Sequence, residues 1–140
     1  MAPEEGYVSA TNHYVLPEMR PYDVSRRQES VARQRTIGAG LGDAAPKVDH
    51  EILRALLSRT MPHGLCQHYY SGGLGTLWCS ITDVTEGMIE VCFGAPSSKR
   101  NPWHAFGLRD TMAPQTYAAH LPDEPAPVGF WQRLPAGCEE

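Results

Sequence analysis

An α+β fold, an antiparallel sheet with two covering helices, is what this sequence predicts, and three observations carry it. Residues 75–96 (GTLWCSITDVTEGMIEVCFGAP) make two apolar runs, rich in β-branched and aromatic residues, around a break at Thr85-Glu86-Gly87. Residues 25–37 and 50–59 carry helical signals with their own start residues. The apolar residues of the hairpin fall on both parities: Leu77, Cys79 and Ile81 against Trp78, then Ile89, Val91 and Phe93 against Met88 and Cys92. A hairpin with one wet face alternates more cleanly, so this one is expected to be covered on both faces inside a layered domain.

Composition sets the bounds. A chain of 140 residues is long enough for one domain with its own core. Hydrophobic content of 41% and charge of 20% suit a soluble globular protein. The net charge of -4 offers no electrostatic basis for binding nucleic acid or an anionic membrane. No apolar run approaches the roughly 20 residues that span a bilayer. The start, MAPEEGYVS, has neither a basic region nor an apolar core, so no secretory signal is expected and the expected location is cytoplasmic. The four cysteines, Cys66, Cys79, Cys92 and Cys138, could pair. Two of them sit inside the hairpin, and reduced thiols of a cytosolic protein are the preferred reading.

In chain order, residues 1–6 read as a loose leader and 7–10 (YVSA) as a short strand. Thr11-Asn12-His13-Tyr14 follows at the strand end, a usual place for a site. The Asn12 amide offers two donors suited to an oxyanion that develops in acyl transfer. It equally suits a turn held by its own side chain, and from these residues alone the turn is preferred. Residues 25–37 (SRRQESVARQRTI) read as a polar helix, with Ser25 as cap and Gln28 completing a capping box. Its arginines, Arg26, Arg27, Arg33 and Arg35, read as a solvated face rather than an anion site. Residues 38–47 (GAGLGDAAPK) read as a flexible connection; the glycine pattern lacks the preceding strand that a phosphate loop needs. Asp49 caps a second helix, 50–59, whose stripe of Ile52, Leu53, Leu56 and Leu57 is expected to cover the hairpin while Arg54, Ser58 and Arg59 face out.

His63, Cys66 and His68 lie close together, but their spacing matches no structural zinc pattern, and no metal site is assigned. Residues 69–75 form a loop into the hairpin, whose strands are expected at 76–84 and 88–93. Residues 97–101 make a polar turn, and 102–108 an edge strand or latch. From 109 to 140 the prolines forbid long elements, which leaves a Pro-rich tail anchored by Phe130 and Trp131 or else disordered.

The order of these pieces resembles a known family. A TNHY turn, a PEM segment, a Ser/Arg helix, the helix DHEILRALL, an LCQH loop, the GTLW-hairpin and a Trp/Phe strand look like the C-terminal part of a cysteine-nucleophile Ntn (N-terminal-nucleophile) hydrolase. The branch resembled is the choloylglycine hydrolase and isopenicillin N acyltransferase-like group of linear amide hydrolases and acyltransferases. The likeness covers about residues 7–108, and the TNHY turn together with the hairpin is its most specific part. It implies a four-layer αββα sandwich, amide hydrolysis or acyl transfer on small N-acyl or amino compounds, and no cofactor or metal. It implies a cysteine nucleophile whose own α-amino group serves as base. Asn12 then matches the oxyanion-hole asparagine, and His13 and Tyr14 line the pocket beside it. Arg33, after Ser30, is a candidate for the family's Ser-x-x-Arg; Ser25 with Arg27 is the rival register.

The residues ahead of Asn12 contain no cysteine, and the family's upstream aspartate and arginine are absent too. Gly75 stands where some members have an arginine ahead of the strand. The expectation is therefore the C-terminal portion of an amide hydrolase or acyl-CoA-dependent N-acyltransferase, incomplete alone. It would take a small-molecule amide or acyl donor, and pair with a complementary N-terminal half or a second copy of itself. The alternative is a catalytically inactive remnant that binds a small molecule or a protein. A third reading, an unrelated enzyme using Cys66 with His63 or His68, is disfavoured because a glycine-flanked loop offers no third group to hold the base.

Overall fold

The computed structural model describes residues 7–23, 27–44, 47–61, 63–111 and 113–132. The expected leader, the Ser25 cap, Arg26 and Cys138 lie outside the described residues. The architecture is α+β, helices with antiparallel sheets, as the residue patterns predict. The described residues up to Val48, with those from Pro127, form one compact unit, and Asp49–Ala126 form another.

In the first unit, residues 7–11 are irregular rather than a strand. Their polar groups are met from a helix instead of a sheet partner: Gln34 Nε2 donates to Ser9 Oγ at 2.7 Å, and the Tyr7 hydroxyl to the Gly38 carbonyl at 3.5 Å. A 3-10 turn covers Pro17–Tyr22, with proline at its start. Helix α1 spans Gln28–Gly42, beginning later and running farther than predicted. The glycine-rich stretch expected as a flexible connection is its last turn and a half. Leu41 is buried there with Val31 and Ser30, so packing overrides the weak helix propensity of glycine. The helix start is met by the chain's end. The Gln28 N–H donates to the Gln132 carbonyl at 3.2 Å, and the Arg27 guanidinium lies 5.9 Å over the Trp131 ring, itself edge-on to Phe130.

In the second unit, helix α2 spans His50–Ser58, and Asp49 caps it by accepting from the Ile52 N–H at 2.9 Å. Strands β1 (His68–Tyr69) and β2 (Leu74–Gly75) make a two-residue antiparallel pair. Strands β3 (Trp78–Asp83), β4 (Met88–Phe93) and β5 (Trp103–Gly107) form an antiparallel sheet in that order. The β3–β4 turn is built by its first residue: Asp83 Oδ1 accepts from the Thr85 and Glu86 N–H groups, both at 2.9 Å. Gly87 completes it at φ +66°.

The register Trp78↔Phe93 to Asp83↔Met88 sorts the sheet's two faces. One carries Cys79, Ile81, Asp83, Glu90 and Cys92, and α2 meets it. Arg54, expected to face solvent, keeps 42% of its side chain exposed but also pairs with Glu90 and lies 5.7 Å over Trp103, since a planar guanidinium suits both a carboxylate and a ring. His50 stands between Asp83 at 3.2 Å and Glu90 at 3.5 Å. On the other face Tyr117 stacks on Phe93 at 4.7 Å and tilts against His104 at 4.5 Å. Coverage of this face is partial, contrary to the expectation from the double parity. Trp78, which lies on it, is 63% exposed.

The stretch beyond 108 does not stand apart over 113–126. Proline denies it a helix, yet its extended chain is tied to the rest of the unit by backbone and side-chain hydrogen bonds. The His120 N–H donates to Asn101 Oδ1 at 2.7 Å, and Asn101 Nδ2 donates back to the His120 carbonyl at 2.7 Å. Asp123 binds the backbone and hydroxyl of Ser71, and the Glu124 N–H donates to the His68 carbonyl at 2.8 Å. Among the described residues, no helix is long and apolar enough to cross a membrane.

Candidate functional site

The TNHY turn and the first turns of α1 form one hydrogen-bonded cluster. Ser30 and Arg33 stand three apart and so share a helix face. Both address the turn. Arg33 donates through NH2 to Asn12 Oδ1 at 2.6 Å and through Nε to Glu29 Oε2 at 2.9 Å. His13 Nδ1 lies 2.9 Å from both Ser30 Oγ and Thr11 Oγ1. Glu29 and Ser30 are buried, at 7% and 1% exposure, so Arg33 neutralises a carboxylate withdrawn from water. The turn's outgoing end is tied as the Tyr14 N–H donates to Asp23 Oδ2 at 2.9 Å.

The structure thus brings Asn12, His13 and Arg33 together: Ser30 and Arg33 meet the turn, Arg27 is turned to Trp131, and Ser25 of the rival register lies outside the described residues. Tyr14 is exposed at the surface rather than enclosed beside the others. The electrostatics of Asn12 follow from its partner. With Oδ1 held by a cation, the amide keeps its NH2 as the outward donor end, and Asn12 itself is exposed. Such a donor can meet a developing oxyanion but cannot attack a carbonyl. Of the two hydroxyls beside His13, Ser30 is sealed from substrate while Thr11 is half-buried.

In the other unit, Cys66 and His68 are both buried and 3.4 Å apart, whereas His63 is exposed. His68 meets two groups that sequence reasoning did not single out: Ser97 Oγ, 2.5 Å from Nε2, and Glu124 Oε1, 3.2 Å from Nδ1. They lie 29 and 56 positions away, so no local spacing signals them. Among the described residues, no three His, Cys, Asp or Glu side chains are grouped to hold a metal ion. Burial, reinforced by Cys92 and Cys66, pushes the Cys79 thiol up to about 12.

No protein family, curated protein or solved structure matches this chain. What remains to read function from is the pair of side-chain clusters: a polarised asparagine held by α1, and a histidine shared by two potential nucleophiles and a carboxylate.

Proposed function

We propose that this chain is the C-terminal portion of a cysteine-nucleophile Ntn-type amide hydrolase or N-acyltransferase, resembling the choloylglycine hydrolase and isopenicillin N acyltransferase-like group. It acts on small N-acyl or amino compounds in the cytoplasm and is completed by a nucleophile-bearing N-terminal half, which makes the second face of an αββα sandwich. The single observation that carries this reading is the contact of the Asn12 turn with Ser30 and Arg33, since two positions matched to the family by resemblance are neighbours in space. Support also comes from the exposed Trp78, apolar surface on a sheet face of the kind a second sheet would cover.

In this mechanism the cysteine thiolate attacks the substrate carbonyl, and negative charge gathers on the carbonyl oxygen. Asn12 Nδ2 donates to that oxygen. Arg33 fixes the amide orientation, so the donor end needs no reorganisation as charge develops. Release of the amine leaves an acyl-enzyme, which water or a second amine then resolves.

The test is turnover of a panel of N-acyl amino acids and acyl-amines by this chain, alone and with a co-expressed nucleophile-bearing chain from the adjoining reading frame. Activity is expected only with both, falling about 10²–10³-fold in kcat in Asn12→Ala. Turnover by this chain alone that survives Asn12→Ala overturns the proposal. Silence in both arms overturns it in favour of a non-catalytic binding module.

A further inference from the structure

We infer that Ser97, His68 and Glu124 form a separate acyl-accepting site, in which Ser97 takes an acyl group from an ester or thioester. The inference stands on the second unit alone and does not depend on the Asn12 cluster. His68 opens β1 and is 6% exposed. Its two ring nitrogens face chemically different partners. Nδ1 lies 3.2 Å from the Glu124 carboxylate, which only accepts, so Nδ1 carries the proton. Nε2 is then the lone-pair nitrogen, and the Ser97 hydroxyl 2.5 Å away donates to it. That is a nucleophile bonded to a base and a base oriented by a third group, the arrangement that activates a hydroxyl.

Backbone contacts hold the members in place. Glu124 is tied through its backbone N–H to the His68 carbonyl at 2.8 Å, which sets its carboxylate beside the ring it orients. Ser97 follows β4 in a turn closed by the Ser98 N–H on the Ala95 carbonyl at 3.1 Å and by Asn101 Nδ2 on the same carbonyl at 2.9 Å. Cys66 competes for the same imidazole at 3.4 Å and donates to Ser97 Oγ at 3.5 Å. It is 1% exposed, however, while Ser97 is half-buried and lies closer to Nε2, so Ser97 is the acceptor.

The step balances within these groups. Ser97 Oγ bonds to the acyl carbon and its proton passes to His68 Nε2. The bond from carbon to the leaving alkoxide or thiolate breaks, and Nε2 returns the proton to that leaving group. Water then releases the acid by the same route.

The full chain is treated with p-nitrophenyl acetate, quenched in acid and mapped by peptide mass, and in parallel with a fluorophosphonate probe. Both labels are expected on Ser97 and absent in Ser97→Ala. Glu124→Gln should slow labelling about 10²-fold, and Glu124→Asp should recover part of the rate, both with an unchanged melting temperature. A purely structural role for this relay would leave the serine unreactive. A folded wild-type chain that takes neither label, or labelling undiminished in Ser97→Ala, overturns the inference.

Discussion

At the scale of single residues, Arg33 carries two duties at once: it neutralises the buried Glu29 and orients the Asn12 amide. Their separation is testable. Arg33→Ala strands a carboxylate at 7% exposure and is expected to cost about 3 kcal/mol, measured by urea denaturation. Adding Glu29→Gln should return much of that loss, because the unpaired charge goes with it. The Ser-x-x-Arg spacing of Ser30 and Arg33 was legible in the sequence, with Ser25 and Arg27, two positions apart, as its rival. What the sequence could not show is that Arg33 and Ser30 meet Asn12 and His13, contacts spanning 21 and 17 positions. The Ser97 and Glu124 partners of His68 had no local signature at all, because a hydrogen bond between distant segments leaves no periodicity.

At the scale of elements, periodicity found both helices and the hairpin, and it failed where packing or side-chain bonds overrode local preference. Residues 38–42 look like a connection because of their glycines, yet they are the end of α1. That mismatch leaves helix propensity to be gained. An alanine Cβ at Gly38 would stand 3.9 Å from the Tyr7 hydroxyl, ordinary contact, so Gly38→Ala should stabilise by roughly 0.5–1 kcal/mol in a thermal melt. The β3–β4 turn makes a pH prediction. The Asp83 carboxylate is held below the usual range by the Glu86 N–H, with the Thr85 N–H and His50 adding to it. Its folded value is therefore lower than its unfolded one. The stability it contributes is fully present above the ordinary pKa of about 3.9 and disappears as pH falls through the lowered folded value. Melts of the wild type and Asp83→Asn should differ at neutral pH and converge in acid.

At the scale of the whole molecule, the exposed Trp78 and Leu77 accompany an edge position, because β3 has β4 on one side only in its three-stranded sheet. An apolar edge left open tends to pair with another chain. Sedimentation velocity on the chain expressed alone should show concentration-dependent association that Trp78→Lys shifts toward monomer. A single monomeric species for the wild type at all concentrations would contradict this and the half-sandwich proposal with it. The same sheet also carries a chemical clock. Cys79 faces Cys92 across the β3–β4 pair, and burial pushes its thiol up to about 12, so near neutral pH it stays protonated and a poor nucleophile. Alkylating reagents, which attack the thiolate, are expected to modify this thiol slowly in the folded sheet and faster once the strands part, so its labelling rate follows how firmly the sheet is closed.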